Sequence, residues 1–300
     1  MKTFVIIAAL LAATQAGAFG RMTQADCAAS WEAFNMLMNE GDQSDRRLDV
    51  SVRVTPQGWC AVRGGDPAFR EQRFDSMEWR AEDMARFIND GIPPLALEFA
   101  ITGIDPDAME GGDINTSRPP LTFSATLRQI PEAGQVIVER AEFASDAGDV
   151  IAGSMVFERL FLSSPSMMQV SMGSVAFKAG LFEMTLTGAH ENPFGFGGDL
   201  AMRGNPDVQR RAAFDLISQL PQGFVDDASR AELTGFSGEL PNPRGTFAMS
   251  VNSETGFGLM QVGVFAALEW VDTVENGGLE VLLDGMTLGA DRSPSTGQAD

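Results

Sequence analysis

Apolar and polar residues alternate along this chain in runs that close on glycine, and this period of two constrains the fold most. Leu95, Leu97, Phe99 and Ile101 hold alternate positions, and their run ends at Gly103. Leu121, Phe123, Ala125 and Leu127 repeat the spacing. Successive side chains of a strand point to opposite faces, so each run predicts a strand with one buried and one wet face. Glycine then suits the turn, because it enters left-handed backbone without a Cβ clash. The pattern predicts strands over residues 48–54, 59–62, 74–81, 95–103, 121–127, 135–144, 149–157, 168–177, 181–187, 198–202, 246–251 and 279–288.

Helical spacing is the minority pattern. Thr23 is placed to cap a helix over 24–40, in which Trp31, Phe34, Leu37 and Met38 recur three or four apart. Met84, Phe87 and Ile88 give a short helix within 82–90, ended by Gly91. Asn205-Pro206 opens a helix that Pro221 stops, and a short helix follows near 225–233. The apolar stretch 257–271 is too long for an ordinary strand and reads as helix. At 44% hydrophobic residues the chain buries a sizeable core, and no Pro/Ser-rich linker divides it. The expectation is α+β: one domain over 19–288 built on a large curved antiparallel sheet with a few flanking helices. Residues 289–300 read as a disordered polar tail.

Three segments share one motif, apolar-acid-apolar-x-apolar-polar-Gly. Leu97 to Gly103 and Phe182 to Gly188 match it closely, and Leu279 to Gly285 follows it loosely. Any half-buried strand that ends in a glycine turn converges on this pattern, and a structural repeat is the alternative.

The N-terminus sets the compartment. Lys2 precedes an apolar run from Phe4 to Ala13, and Ala16-Gly17-Ala18 follows. That order is a secretory signal peptide over residues 1–18, cleaved after Ala18 to leave Phe19 first. The run is far shorter than the roughly 20 residues of a spanning helix, so no transmembrane anchor is expected. Cys27 stands too far from the cleavage point to take a lipid. An exported chain meets oxidising conditions, and its two cysteines, Cys27 and Cys60, then form a disulfide. The periplasm is the expected location. The formal net charge is −20, and Lys178 is the one lysine beyond the leader. Such a surface repels nucleic acid and anionic membranes.

Chemistry is sparse. His190 is the single histidine and sits in a turn-like stretch, so multi-histidine zinc or copper sites are excluded and a histidine-based triad has one place to stand. A solvated loop histidine is the simpler reading. Asp105, Asp107, Glu110, Asp113 and Asn115 crowd an acidic loop, but Gly111 falls one residue late for a calcium-binding EF-hand. Met167, Met168 and Met172 read as apolar filling rather than as a copper site. The chain contains no tyrosine, which argues against the aromatic girdles of an outer-membrane barrel. No catalytic residue, metal or cofactor is assigned.

Phe182-Glu183-Met184-Thr185-Leu186-Thr187-Gly188, then Gly198-Asp199-Leu200-Ala201-Met202-Arg203-Gly204, lead to a helix through Leu216-Ile217-Ser218. Over residues 95–251 this order resembles the AsmA-like periplasmic proteins and a group of uncharacterised alphaproteobacterial periplasmic proteins. The resemblance implies a long curved sheet with an apolar inner face, used in lipid handling and envelope maintenance. The absence of an anchor departs from any role bridging two membranes. The chain has 21 phenylalanines and 16 methionines. Phe99, Phe123, Phe177, Phe182 and Met184 are expected on sheet surfaces, some lining a groove for a lipid or other apolar ligand. An envelope protein is the other expected kind of partner. The competing expectation is a periplasmic hydrolase working through paired carboxylates.

Overall fold

The computed structural model describes residues 19–39, 50–66, 69, 74–105, 119–189, 206–240, 243–258 and 278–293. The leader, the acids of the loop beyond Asp105, His190, the 198–202 segment and most of 257–271 lie outside the described residues.

The strands are β1 (Arg53–Val54), β2 (Cys60–Arg63), β3 (Ser76–Glu82), β4 (Ala96–Ile104) and β5 (Leu121–Ile130). They continue with β6 (Gln135–Ser145), β7 (Val150–Glu158), β8 (Ala176–Leu186), β9 (Gly245–Gly258) and β10 (Met286–Ser293). They form one ten-stranded sheet in which spatial order equals chain order. Every neighbouring pair is antiparallel. Such a meander follows from period-two runs joined by short turns, since an antiparallel pair needs only a hairpin. The helices are α1 (Gln24–Asn39), α2 (Met84–Asp90), α3 (Pro165–Met172), α4 (Pro206–Gln219), α5 (Asp227–Gly238) and α6 (Gly278–Leu282).

Two clusters close the two ends of the sheet. At the first, the Thr23 hydroxyl accepts from the Asp26 backbone N–H and Asp26 accepts from the Thr23 N–H at 3.0 Å, a reciprocal cap that starts α1. Cys27 of α1 is bonded to Cys60 of β2, with their Cα atoms 5.2 Å apart. The bond pins α1 onto the sheet, and Trp31 packs on Trp79 with ring centroids 5.8 Å apart. The Trp79 indole N–H donates to Ser30 Oγ at 3.1 Å, which satisfies a buried polar atom that packing alone would strand. At the second end, Phe224, Val225 and Met286 form a core to which Val251, Leu283 and Leu288 add. Phe236 of α5 stacks on Phe247 of β9 at 4.3 Å.

The α+β expectation holds, and several boundaries differ. Within the described part of the expected 48–54 strand, residues 50–54, only Arg53–Val54 is a strand. Residues 168–172, expected in a strand, belong to α3: Ser164 Oγ accepts from the Met167 N–H at 3.2 Å and Pro165 opens the first turn. Residues 176–186, expected to divide between strands 168–177 and 181–187, form the single strand β8, in which Gly180 opposes Met155 and Val251 instead of making a break. The loose third copy of the motif is not a strand. Leu279 to Leu282 is helical, and the Leu283 N–H donates to the Leu279 carbonyl. The last strand begins at Met286 and runs through Ser293, so Gly289 to Ser293, expected in a disordered tail, pair with β9. Phe257 and Gly258, read as the start of a helix, end β9.

Candidate functional site: the apolar face of the sheet

Directly opposed residues of neighbouring strands share a face. One row of partners runs Met77, Ile101, Phe123, Phe143, Ile151 and Met184 from β3 to β8, and reaches Phe247 on β9. The row beside it runs Trp79, Phe99, Ala125, Ala141, Gly153 and Phe182. A third runs Leu97, Leu127, Val138 and Met155. The face these rows build is apolar from β3 to β9.

The opposite face carries the charged residues, with Ile137, Val156 and Leu181 as apolar members. Glu78, Ser124, Glu142, Glu183 and Asp291 lie along one of its rows, with alanines between them. Its charges alternate. Arg128 stands between Glu139 at 2.9 Å and Glu82 at 3.5 Å. Arg140 pairs with Glu142 and stands 3.9 Å from Glu183. Arg80 pairs with Glu98, and the rings of Phe19 and Trp59 stack on its guanidinium at 4.9 and 4.7 Å. Carboxylates separated by arginines in this way make a solvated cross-strand ladder. Among the described residues no group of three or more His, Cys, Asp or Glu is arranged to hold a metal ion.

The helices cover the apolar face unequally. Among the described residues α1 packs on β1 and β2 and α5 packs on β10, and no helix packs to a comparable extent on β4 to β8. Phe123, Phe143, Ile151, Phe182 and Met184 are accordingly only half-buried, and Met155 is 37% exposed.

All five expected ligand-facing residues lie on this face, in two different settings. Phe123 and Met184 share the first row, and Phe182 stands in the second, all on the open middle. Phe99 meets Phe123 ring to ring at 6.2 Å but also packs against the α1 cluster. Phe177 meets Phe157 at 6.1 Å and packs against the second cluster, at the opposite side of the sheet. Phe143, Ile151, Val138 and Met155 complete the open patch. Alternation within 135–144 and 149–157 carried that signal, although no residue of β6 or β7 was singled out from it.

The second row has a distinct profile. Ala125, Ala141 and Gly153 are small, and they lie between Phe99 and Phe182. The face therefore has a shallow trough floored by small residues and walled by phenylalanine. A Cβ on Gly153 would come no closer than 3.4 Å to another heavy atom, the Leu181 carbonyl oxygen, so local packing does not demand glycine there. Glycine inside a strand weakens it and marks a bulge, a bend or a close approach of another molecule, and the register shift beside its partner Ala141 is one such irregularity. No protein family, curated protein or solved structure matches this chain.

Proposed function

We propose that this is an exported, non-enzymatic protein of the periplasm that holds a lipid acyl chain, or a similar apolar molecule, on the open middle of the apolar face. One observation carries the reading: three adjoining apolar rows cross β4 to β7, two of them reaching β8, where the described helices do not cover them. Contiguous apolar surface of that kind costs free energy in water and marks a site of interaction. Four inter-strand spacings of about 4.8 Å make the patch about 19 Å wide, which suits an extended acyl chain. Each buried CH₂ contributes about 0.8 kcal/mol.

Curvature of the sheet belongs to the same proposal. Register shifts interrupt the pairing between Ile101 and Ile104, Thr126 and Leu127, Val138 and Ala141, Val156 and Phe157, and Phe177 and Ala179. Each bulge bends its strand and raises the local twist, so the middle strands are the ones that fold the apolar face inward. The AsmA-like resemblance of residues 95–251 points in the same direction. The leader read at residues 1–18 and the Cys27–Cys60 bond support export.

Protein purified from its native host should release lipid into organic solvent at a sizeable fraction of molar equivalence, read by mass spectrometry, and its first residue should be Phe19. Clean protein that also fails to bind fluorescent fatty acids would overturn the lipid reading. Hydrolysis of an ester or glycoside, lost on substituting a single Asp or Glu, would overturn the non-enzymatic one.

A further inference from the structure

Beyond Arg159, the connection from β7 to β8 carries no charge. From Leu160 to Phe177, eighteen residues in succession carry no charged side chain, the longest such run after the N-terminal apolar segment. In a chain that is 21% charged this is a marked local departure. The segment folds as a capped helix, α3, on a buried base of Leu162, Val175 and Ala176.

The helix is exposed on most of its circumference, Ser166 and Gln169 included. Its Ser171 is 3% exposed and donates to the Met168 carbonyl at 3.1 Å. Met168 is half-buried, but three other apolar side chains stand in water: Val170 is 74% exposed, Met172 52% and Met167 42%, and Phe161 just before the helix is 37% exposed. A surface helix of a protein bathed only in water places its apolar stripe inward and its polar face outward. Uncharged apolar side chains left outward in this number suit a surrounding hydrocarbon.

Cations stand at the base of this tip. Arg159 and Lys178 bound the uncharged run, and Lys178 is the one lysine beyond the leader. Arg159 donates to the Thr255 carbonyl at 2.8 Å, Lys178 to the Glu254 carbonyl, and Arg86 of α2 to the Leu162 carbonyl at 3.1 Å. Asp83 stands 4.0 Å from Arg86 and exposed Glu254 lies beside Lys178, so the base is mixed in charge rather than strongly basic. Exposed apolar side chains on an uncharged connection, with arginine and lysine at its two ends, match the order of acyl chains and phosphates in a phospholipid leaflet.

We propose that α3 and Phe161 form a membrane-contacting tip, with Val170, Met167 and Met172 entering the outer part of a phospholipid leaflet while Arg86, Arg159 and Lys178 lie at the phosphate level. The occupant is a bilayer surface and not a single bound lipid. The tip stands independently of whether the sheet face carries an acyl chain, and the test below measures vesicle contact alone. The large negative charge of the chain disfavours anionic leaflets, so the probe is a phosphatidylcholine vesicle.

Wild-type protein is expected to float with phosphatidylcholine vesicles in a density gradient. Val170→Asp should lower that partition at least about tenfold, because a charge replaces an apolar group that enters hydrocarbon. Its melting temperature should stay at the wild-type value, since Val170 packs on little. Val170→Trp should gain a blue-shifted emission component on vesicles, quenched by brominated acyl chains. Wild-type protein that stays at the bottom of the gradient overturns the proposal. So does Val170→Asp protein that floats as well as wild type. Self-association lost in Val170→Asp, with no vesicle binding by wild type, assigns the tip to a second copy of the chain and overturns the proposal too.

Discussion

Asp149 accepts two hydrogen bonds from Thr187, one from its backbone N–H at 2.7 Å and one from its hydroxyl at 2.8 Å. Asp149 is completely buried, and its other carboxylate oxygen accepts from Ser145 Oγ at 3.2 Å. The carboxylate thus ties the β6–β7 turn to the end of β8 and fixes three strands of the open patch at one edge. Asp149→Ala strands the Thr187 N–H and two hydroxyls, at a cost of about 2–3 kcal/mol. Denaturant unfolding is the measurement. A loss below about 0.5 kcal/mol, the size of a neutral surface substitution, would show that water replaces the carboxylate there.

The Cys27–Cys60 bond joins residues 33 apart. Closing a loop of that size removes unfolded-state entropy that contributes about 3–4 kcal/mol. Cys60→Ser should therefore shift the urea midpoint down strongly, and thiol reagents should find nothing to label in denatured, unreduced protein. Two labelled thiols per chain would remove the staple from the account of how α1 docks.

Strand content and the faces of β4 and β5 were legible because alternation is local. Ile101 and Phe123 fall on the same face whatever the rest of the chain does, once their strands pair. The identity of α3 was misread. Met168, Val170 and Met172 alternate with Gln169 and Ser171 as a strand would, and the Ser164-Pro165 start signal outweighs that alternation. Leu279, Leu282 and Leu283 were misread for the related reason that a run of leucines fits both periods. The separation of Phe99 and Phe177 from the open patch was not legible at all. It depends on where α1 and the second cluster dock, and those contacts join residues far apart in sequence.

Asp226 caps α5, its side chain accepting from the Ser229 N–H at 2.7 Å. The backbone bond from Ser229, with the Ser229 hydroxyl second, holds this carboxyl below its ordinary value of 3.8. A folded-state value below the unfolded one gives stability that is present above the unfolded value and lost as pH falls through the folded one. Asp226→Asn keeps a capping oxygen without the charge. The stability advantage of wild type over this variant should shrink as pH falls from about 5 through the carboxyl's lowered folded-state value. A difference that stays constant over that range would mean that the charge contributes nothing to the cap.

Gly153 separates the structural and binding readings of the trough. A Cβ there meets an ordinary van der Waals distance, 3.4 Å to the Leu181 carbonyl oxygen, and its backbone needs no positive φ. Valine is a better strand residue than glycine, so on structural grounds Gly153→Val should leave stability unchanged or raise it by about 0.5–1 kcal/mol. The same valine stands between Ala141 and Phe182 and raises the trough floor. If the trough holds an acyl chain, the stabilised variant should carry less extractable lipid and bind fluorescent fatty acids more weakly, while Ser154→Val, one residue along on the polar face, should do neither. Equal lipid occupancy in wild type and Gly153→Val would leave the trough as surface relief alone, and the open patch would then have to act through Phe123, Phe143 and Met184.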